Sequence, residues 1–486
     1  MKKVAIIPVI TLLFLMLASC IPFPDPPQSS SIGKLGEGTF YAQNIVSKSF
    51  YTVNAEMLWE GNKCKIWAEK GSGVTKEQAE DVAREYDSSI RPKIINTFSR
   101  KNFTYEGKAF NDILDFANWC VGRSDKKITI LLLDIKDGYV KGKNNAYVAG
   151  YFNAVNFLEE GRHLISGVPY YSNGRDMIYI DTNPGLQSQP EQVLATFAHE
   201  LQHLVNFITC FFLGKGYTDI WVNEGLSAYA EYLYLGKHPD DKCGWLSNGQ
   251  NTINTGNNFF VWDNHKVDGN NYANIDDYAT VYLFFQWLYL QAESDSKGKG
   301  ADIFRNIAYS QYHDYRAVVD EMRKIDPVLN NWETLLKKWL AAYYDPENGY
   351  TGDTELLAIL KSPDIKKIYP NEENAVLLYP GEGVYSIING PYFPVSGTNI
   401  RYEELSGVST LLTFNANTNN TYNDTEKVNP ETGSLTGVSA SVTVSPTAAD
   451  KARSAGQAKT WNGPYVIDAR DLLGRDQDKF NFRLPR

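Results

Sequence analysis

The stretch Phe197-Ala198-His199-Glu200-Leu201-Gln202-His203 decides how the rest of the chain is read. Residues four apart share one face of an α-helix, so the imidazoles of His199 and His203 can reach a single ion. Glu200 is offset enough to miss that ion and face a water beside it. The surroundings are apolar (Val193, Leu194, Phe197, Leu204, Val205) and the motif is free of proline, so a rigid helix is predicted to carry it. Ser188-Gln-Pro-Glu191 is expected to cap this helix, which should run to about Phe212.

Two imidazoles are not enough, because catalytic zinc takes three protein ligands and leaves a fourth position open. Downstream lies Trp221-Val-Asn-Glu224-Gly-Leu-Ser-Ala-Tyr-Ala-Glu231, a helical stretch whose Glu224 is the candidate third ligand. The alternative reading of Glu224 is an acid placed at a helix start, where the dipole favours it.

At these residues the chain resembles a known group. An Asn223-Glu224-Gly225-Leu226-Ser227 run following His199-Glu-Leu-Gln-His203 is similar to the gluzincin metallopeptidases. With Phe197-Ala-His-Glu-Leu-Gln-His203 and the later Tyr278-Ala-Thr-Val-Tyr282-Leu-Phe-Phe285, it looks like the hyicolysin-type family. The resemblance covers about residues 177 to 290. It implies an α+β fold with a thermolysin-like catalytic core, one Zn2+ per chain on His199, His203 and Glu224, and Glu200 as general base. It also implies that Glu231 steadies a ligand histidine and that the Tyr278 phenol faces the oxyanion, with Tyr282, one turn on, as a substitute. Core packing is the competing role for both tyrosines. His238 and His265 are further candidates for transition-state contacts, weighed against ordinary locally bonded histidines.

These residues predict a metalloendopeptidase acting on protein or peptide substrates, which could pair with an exposed strand edge within Tyr147 to Phe157. An aminopeptidase of the same group is the alternative. Such relatives carry a Gly-x-Met-Glu-Asn segment whose glutamate holds the free α-amine, whereas Gly150-Tyr-Phe-Asn-Ala-Val-Asn156 has no glutamate. A non-catalytic surface-binding lipoprotein is the reading from another class.

Lys2-Lys3, the apolar run Val4 to Leu17 and Leu17-Ala18-Ser19-Cys20 read as an export signal ending in a lipobox. Residues 1–19 are then the signal peptide, and Cys20 is the lipidated first mature residue. Acyl chains on Cys20 would anchor the protein to a bilayer, at the outer face of the inner membrane or at the outer membrane or cell surface. Residues 20–38, rich in Pro and Ser, read as a tether. A net charge of −10, more negative still once the leader is lost, argues against nucleic acid as a partner. Cys64, Cys120, Cys210 and Cys243 remain, an even number for which any of three disulfide pairings is open.

The remaining pattern suggests an N-terminal α+β sheet subdomain over 39–190, a helical zinc-peptidase subdomain over 191–350 and a C-terminal all-β domain over 351–486. Strands are expected within 39–71 and at Ile128 to Ile135, Tyr147 to Phe157 and Met177 to Asp181. Helices are expected after a Thr75-x-x-Gln78 capping box and at Trp221 to Leu235, Asp276 to Ala292, Ala301 to Tyr309 and Trp332 to Tyr344. Further strands are predicted at Ala375 to Tyr379, Leu411 to Phe414, Val438 to Val444 and Tyr465 to Ile467.

Overall fold

The computed structural model describes residues 35–418, except 145–146, 166–167, 214–215, 217, 248–258, 261–265, 268–269, 272–274, 297–299, 366, 369–377, 379, 388–398 and 406–408. It also describes two short strands at 428–429 and 434–435. Cys20 and most of the tether, His265, and the strands expected at Val438 to Val444 and Tyr465 to Ile467 lie outside the described residues.

A six-stranded mixed sheet organises the first half. Its strands are β1 (Thr39–Gln43), β2 (Phe50–Glu60), β3 (Cys64–Glu69), β4 (Ile128–Leu133), β5 (Gly150–Phe152) and β6 (Met177–Asp181), in the order β1-β2-β3-β4-β6-β5. β4 runs parallel to β3 and β6, and the remaining neighbours are antiparallel. The central strands are apolar on both faces because both are covered. Ile130 and Leu132 of β4, with Ile178 and Ile180 of β6, point into the large core shared with the helices. Leu131, Leu133, Met177 and Tyr179 fill a smaller core on the opposite face, with Phe40, Val53 and Tyr151. This is why Ile128 to Ile135 reads as a continuous apolar run instead of an alternating one.

Helices α1 (Lys76–Glu85), α2 (Arg91–Phe98) and α3 (Ile113–Cys120) follow β3, and the expected capping box of α1 forms between Thr75 and Gln78. The next helices are α4 (Pro190–Phe207), α5 (Ile220–Leu235), α6 (Asp240–Ser247), α7 (Ile275–Ser296), α8 (Asp302–Ala308), α9 (Tyr315–Ile325), α10 (Trp332–Tyr344) and α11 (Thr354–Leu360). Beyond them, β7 (Gly383–Ile387), β8 (Ile400–Leu405) and β9 (Thr410–Asn415) form a second sheet in the order β7-β9-β8. The fold is α+β, and no helix among the described residues is long and apolar enough to cross a membrane.

Several expectations are corrected in detail. α4 has no Ser188 cap: Gln189 is its N-cap without a side-chain bond, and Pro190 occupies the first turn, where its missing N–H costs nothing. The α-helical geometry ends at Phe207, and a wider π turn carries the chain on to Phe212. Of Tyr147 to Phe157 only Gly150–Phe152 pairs as a strand; Ala154–Phe157 forms a 3-10 turn capped by Asn153. Within 351–486 the first described element is a helix, α11, and the three strands that follow share the large core through Tyr385, Leu412 and Phe414. The Tyr385 hydroxyl donates to the Leu340 carbonyl of α10 at 2.7 Å. Cys64, Cys120, Cys210 and Cys243 are all buried and none forms a disulfide.

α5 is packed between α4 and α7, and the α5–α7 approach is set by Gly225. A Cβ on Gly225 would collide with the Phe285 ring of α7, and both residues lie in a core with little room to give. Gly225→Ala is therefore expected to destabilise the chain by about 1–3 kcal/mol through overpacking, despite the better helix propensity of alanine. Urea unfolding of the purified chain would measure this, and an unchanged or raised midpoint would contradict it.

Candidate metal centre

α4 and α5 lie antiparallel, and each presents one stripe of polar side chains to the other. From α4 these are His199, Gln202, His203 and Asn206, and from α5 they are Asn223, Glu224, Ser227 and Glu231. Spacings of three and four keep each stripe on one face. The bonds run in opposite order along the two helices: Asn206 to Asn223 at 2.7 Å, His203 to Ser227 at 3.0 Å, and His199 to Glu231 at 2.6 Å. Apolar residues surround both stripes, so the site sits within the large core.

His199, His203 and Glu224 converge, with one potential ligand atom from each lying within 4.8 Å of the others. Glu224 Oε2 stands 3.3 Å from His199 Nε2 and 3.6 Å from His203 Nε2. All three side chains are buried, and none of these three atoms has a hydrogen-bond partner of acceptable geometry. Their separations suit a different bond. Ligands about 2.0–2.1 Å from a tetrahedral ion stand about 3.3 Å from one another. The donor set and its spacing therefore fit a divalent metal ion.

The far side of each imidazole is fixed so that Nε2 faces the shared point. His199 donates from Nδ1 to Glu231 Oε1 at 2.6 Å, while Lys242 of α6 donates to Glu231 Oε2 at 2.6 Å. The Ser227 hydroxyl donates to Gln202 Oε1, so the 3.0 Å contact between Ser227 Oγ and His203 Nδ1 is donated by the ring. Both tautomers thus leave the lone pair on Nε2, the form a metal requires.

Glu200, next to His199, is wholly buried and turned toward the sheet. Its Oε2 accepts the Phe152 N–H from edge strand β5 at 2.8 Å, while Oε1 has no hydrogen-bond partner. Tyr278, near the start of α7, is partly buried with its ring 6.5 Å from that of His199. Tyr282 does not serve as its substitute, because its buried hydroxyl is bonded to His238 Nδ1 at 2.5 Å. His238 spends its other nitrogen on Asp353 Oδ2 at 2.9 Å, so it is a locally bonded histidine and not a transition-state contact.

Charge within the centre is strongly perturbed. Burial would depress His199, but Glu224 and Glu231 override it and lift its pKa to about 9. Burial opposes the ionisation of Glu224, yet the His203 and His199 rings hold its pKa at about 2. Glu231 is likewise held below the ordinary carboxylate range against burial, by Lys242 and then His199. Glu200 goes the other way, pushed well above the ordinary range by burial.

The sequence located His199, Glu200, His203, Glu224, Glu231 and Tyr278, and the structure brings all six together. It did not assign Gln202, Ser227, Phe152 or Lys242. Gln202 and Ser227 were recoverable from helical spacing, since each lies on the same stripe as a ligand. Phe152 contributes a backbone group, which no side-chain pattern reveals, and Lys242 stands in an Asp-Asp-Lys run that reads as solvated surface.

Metal binding requires a neutral imidazole and so must expel any proton carried by His199. Burial disfavours that proton, but Glu224 and Glu231 override it and make the metal-free ring hold its proton more firmly than a free imidazole does. Calorimetric titration with zinc near pH 7, in buffers of different ionisation enthalpy, should release at least one proton per ion. Release of none would mean that the ring enters already neutral. No family model and no curated protein matches this chain.

Proposed function

We propose that the chain is a zinc-dependent endopeptidase with a thermolysin-like, gluzincin-type core, carried as an exported lipoprotein anchored through acylated Cys20. The observation that carries the enzymatic reading is the convergence of His199, His203 and Glu224 beside a buried carboxylate that is not part of the ligand set. Anchoring rests on the lipobox-like Leu17-Ala18-Ser19-Cys20 alone.

The ion, when bound, supplies a Lewis acid that acidifies a water and polarises a peptide carbonyl. Glu200 does the proton work. The Phe152 N–H holds one of its oxygens and leaves the other to take the proton of the attacking water and return it to the departing amine. A dication nearby favours the ionised carboxylate that this role needs, offsetting the burial that otherwise keeps Glu200 protonated. Tyr278 is the donor assigned to the oxyanion, supported by its ring lying near His199.

Internal cleavage is favoured over removal of N-terminal residues. The strand beside the base reads Gly150-Tyr-Phe152, followed by Asn153, and carries no carboxylate to hold a free α-amine. Fluorogenic amino-acid amides run beside a quenched internal peptide separate the two activities. Turnover of the amides alone would assign the aminopeptidase reading instead.

Casein digestion by the detergent-solubilised full chain should stop when a chelator removes the metal and resume when zinc is restored. Glu200→Gln should slow it by about 10²–10⁴-fold, the usual contribution of a positioned acid–base group. Digestion by that variant at the wild-type rate would remove Glu200 from the mechanism, and failure of the wild type to cleave any substrate under zinc would support a non-catalytic binding role.

A further inference from the structure

Lys242 occupies a place that a lysine ordinarily avoids. It lies in the first turn of α6, where the helix dipole opposes a cation. Its side chain is only 3% exposed, which deprives an ammonium group of the hydration it strongly prefers. Glu231, fully buried, lies against it, with Oε2 2.6 Å from Lys242 Nζ. The other oxygen of the same carboxylate accepts the Nδ1–H of His199. One carboxylate is therefore stretched between a lysine and a metal-facing imidazole.

We propose that Lys242 is a positioning residue of the metal centre, fixing the Glu231 carboxylate so that Glu231 in turn aims His199 Nε2 at the ion. The inference rests on the reading of His199, His203 and Glu224 as metal ligands and extends it outward to a third layer. Lys242 is the second anchor of the Glu231 carboxylate. Without it, Glu231 could rotate about its own side-chain bonds, since the His199 bond restrains only one of its oxygens.

The alternative is that Lys242 merely ties α6 to α5, with no bearing on the ion. A double-mutant cycle separates the two, read as the zinc dissociation constant from competition with a chromophoric chelator and using the full chain in detergent. Lys242→Met preserves much of the side chain's bulk and removes its charge, and should weaken zinc binding by about 10–100-fold, as loss of an outer-sphere partner commonly does. Because Lys242 acts through Glu231, the double variant Glu231→Gln/Lys242→Met should bind zinc within about threefold of Glu231→Gln alone, the two losses failing to add.

Lys242→Met strands a buried carboxylate and can compromise folding by itself. The double variant removes both charges of this pair, so its comparison with Glu231→Gln decides the matter even where the single variant is unfolded. Wild-type zinc affinity in Lys242→Met, or a further tenfold loss in the double variant over Glu231→Gln, would overturn the assignment. A wild-type chain that binds no zinc overturns the metal centre as well, and that result is seen before any variant is compared.

Discussion

Three donor atoms of the kind that bind metals, converging on one point inside a dry core, are the constraint around which the rest is arranged. Glu224 Oε2 and the Nε2 atoms of His199 and His203 are buried without hydrogen-bond partners, a condition that costs each group about 1–3 kcal/mol or more when nothing compensates. The three could hold a divalent ion between them, and the surrounding bonds keep them apart and aimed. They do so from behind, through Glu231 and Lys242 for one ring and through Ser227 and Gln202 for the other. Each chain of bonds has a single donor order, so neither ring can turn over without breaking a buried bond.

The same helix pair carries both the site and much of the core, which couples geometry to stability. α4 and α5 are clipped beside the ligands by Asn206 and Asn223, and α5 is backed by α7. A shift along the α4–α5 interface would break the Asn206, Ser227 and Glu231 bonds together, so the register is specified several times over. The sheet's share is smaller but chemical. Its open edge gives the Phe152 N–H to Glu200, which turns that carboxylate toward the sheet.

Side-chain spacing made the cluster of His199, His203 and Glu224 legible, because a helix imposes intervals. Strands β4 and β6 and helices α5 and α10 were equally plain, being long apolar or periodic runs. The Ser188 cap failed because Pro190 already supplies a preorganised first turn, so a side-chain cap is not needed to start the helix. Tyr147 to Phe157 was overextended because a strand and a 3-10 turn both bury apolar residues, and Asn153, which caps the turn, is the one local sign of the change. Lys242 was invisible for a deeper reason: its burial is decided by a carboxylate on another helix, and only the fold brings the two together.

Close backbone approach explains the remaining precision. At Gly150, at the start of edge strand β5, an added Cβ would stand 2.9 Å from the Tyr179 carbonyl oxygen and 3.3 Å from Thr196 Cγ2 of α4. Thr196 lies one turn before Glu200 on that helix. A side chain at 150 would therefore push α4 away from the strand at the point where the Phe152 N–H reaches Glu200, and a hydrogen bond of 2.8 Å tolerates little displacement. Gly225 has the corresponding role on the other side, letting α7 and its Tyr278 close onto the helix that bears Glu224. Through these two close approaches the glycines set how near Glu200 and Tyr278 stand to His199, His203 and Glu224.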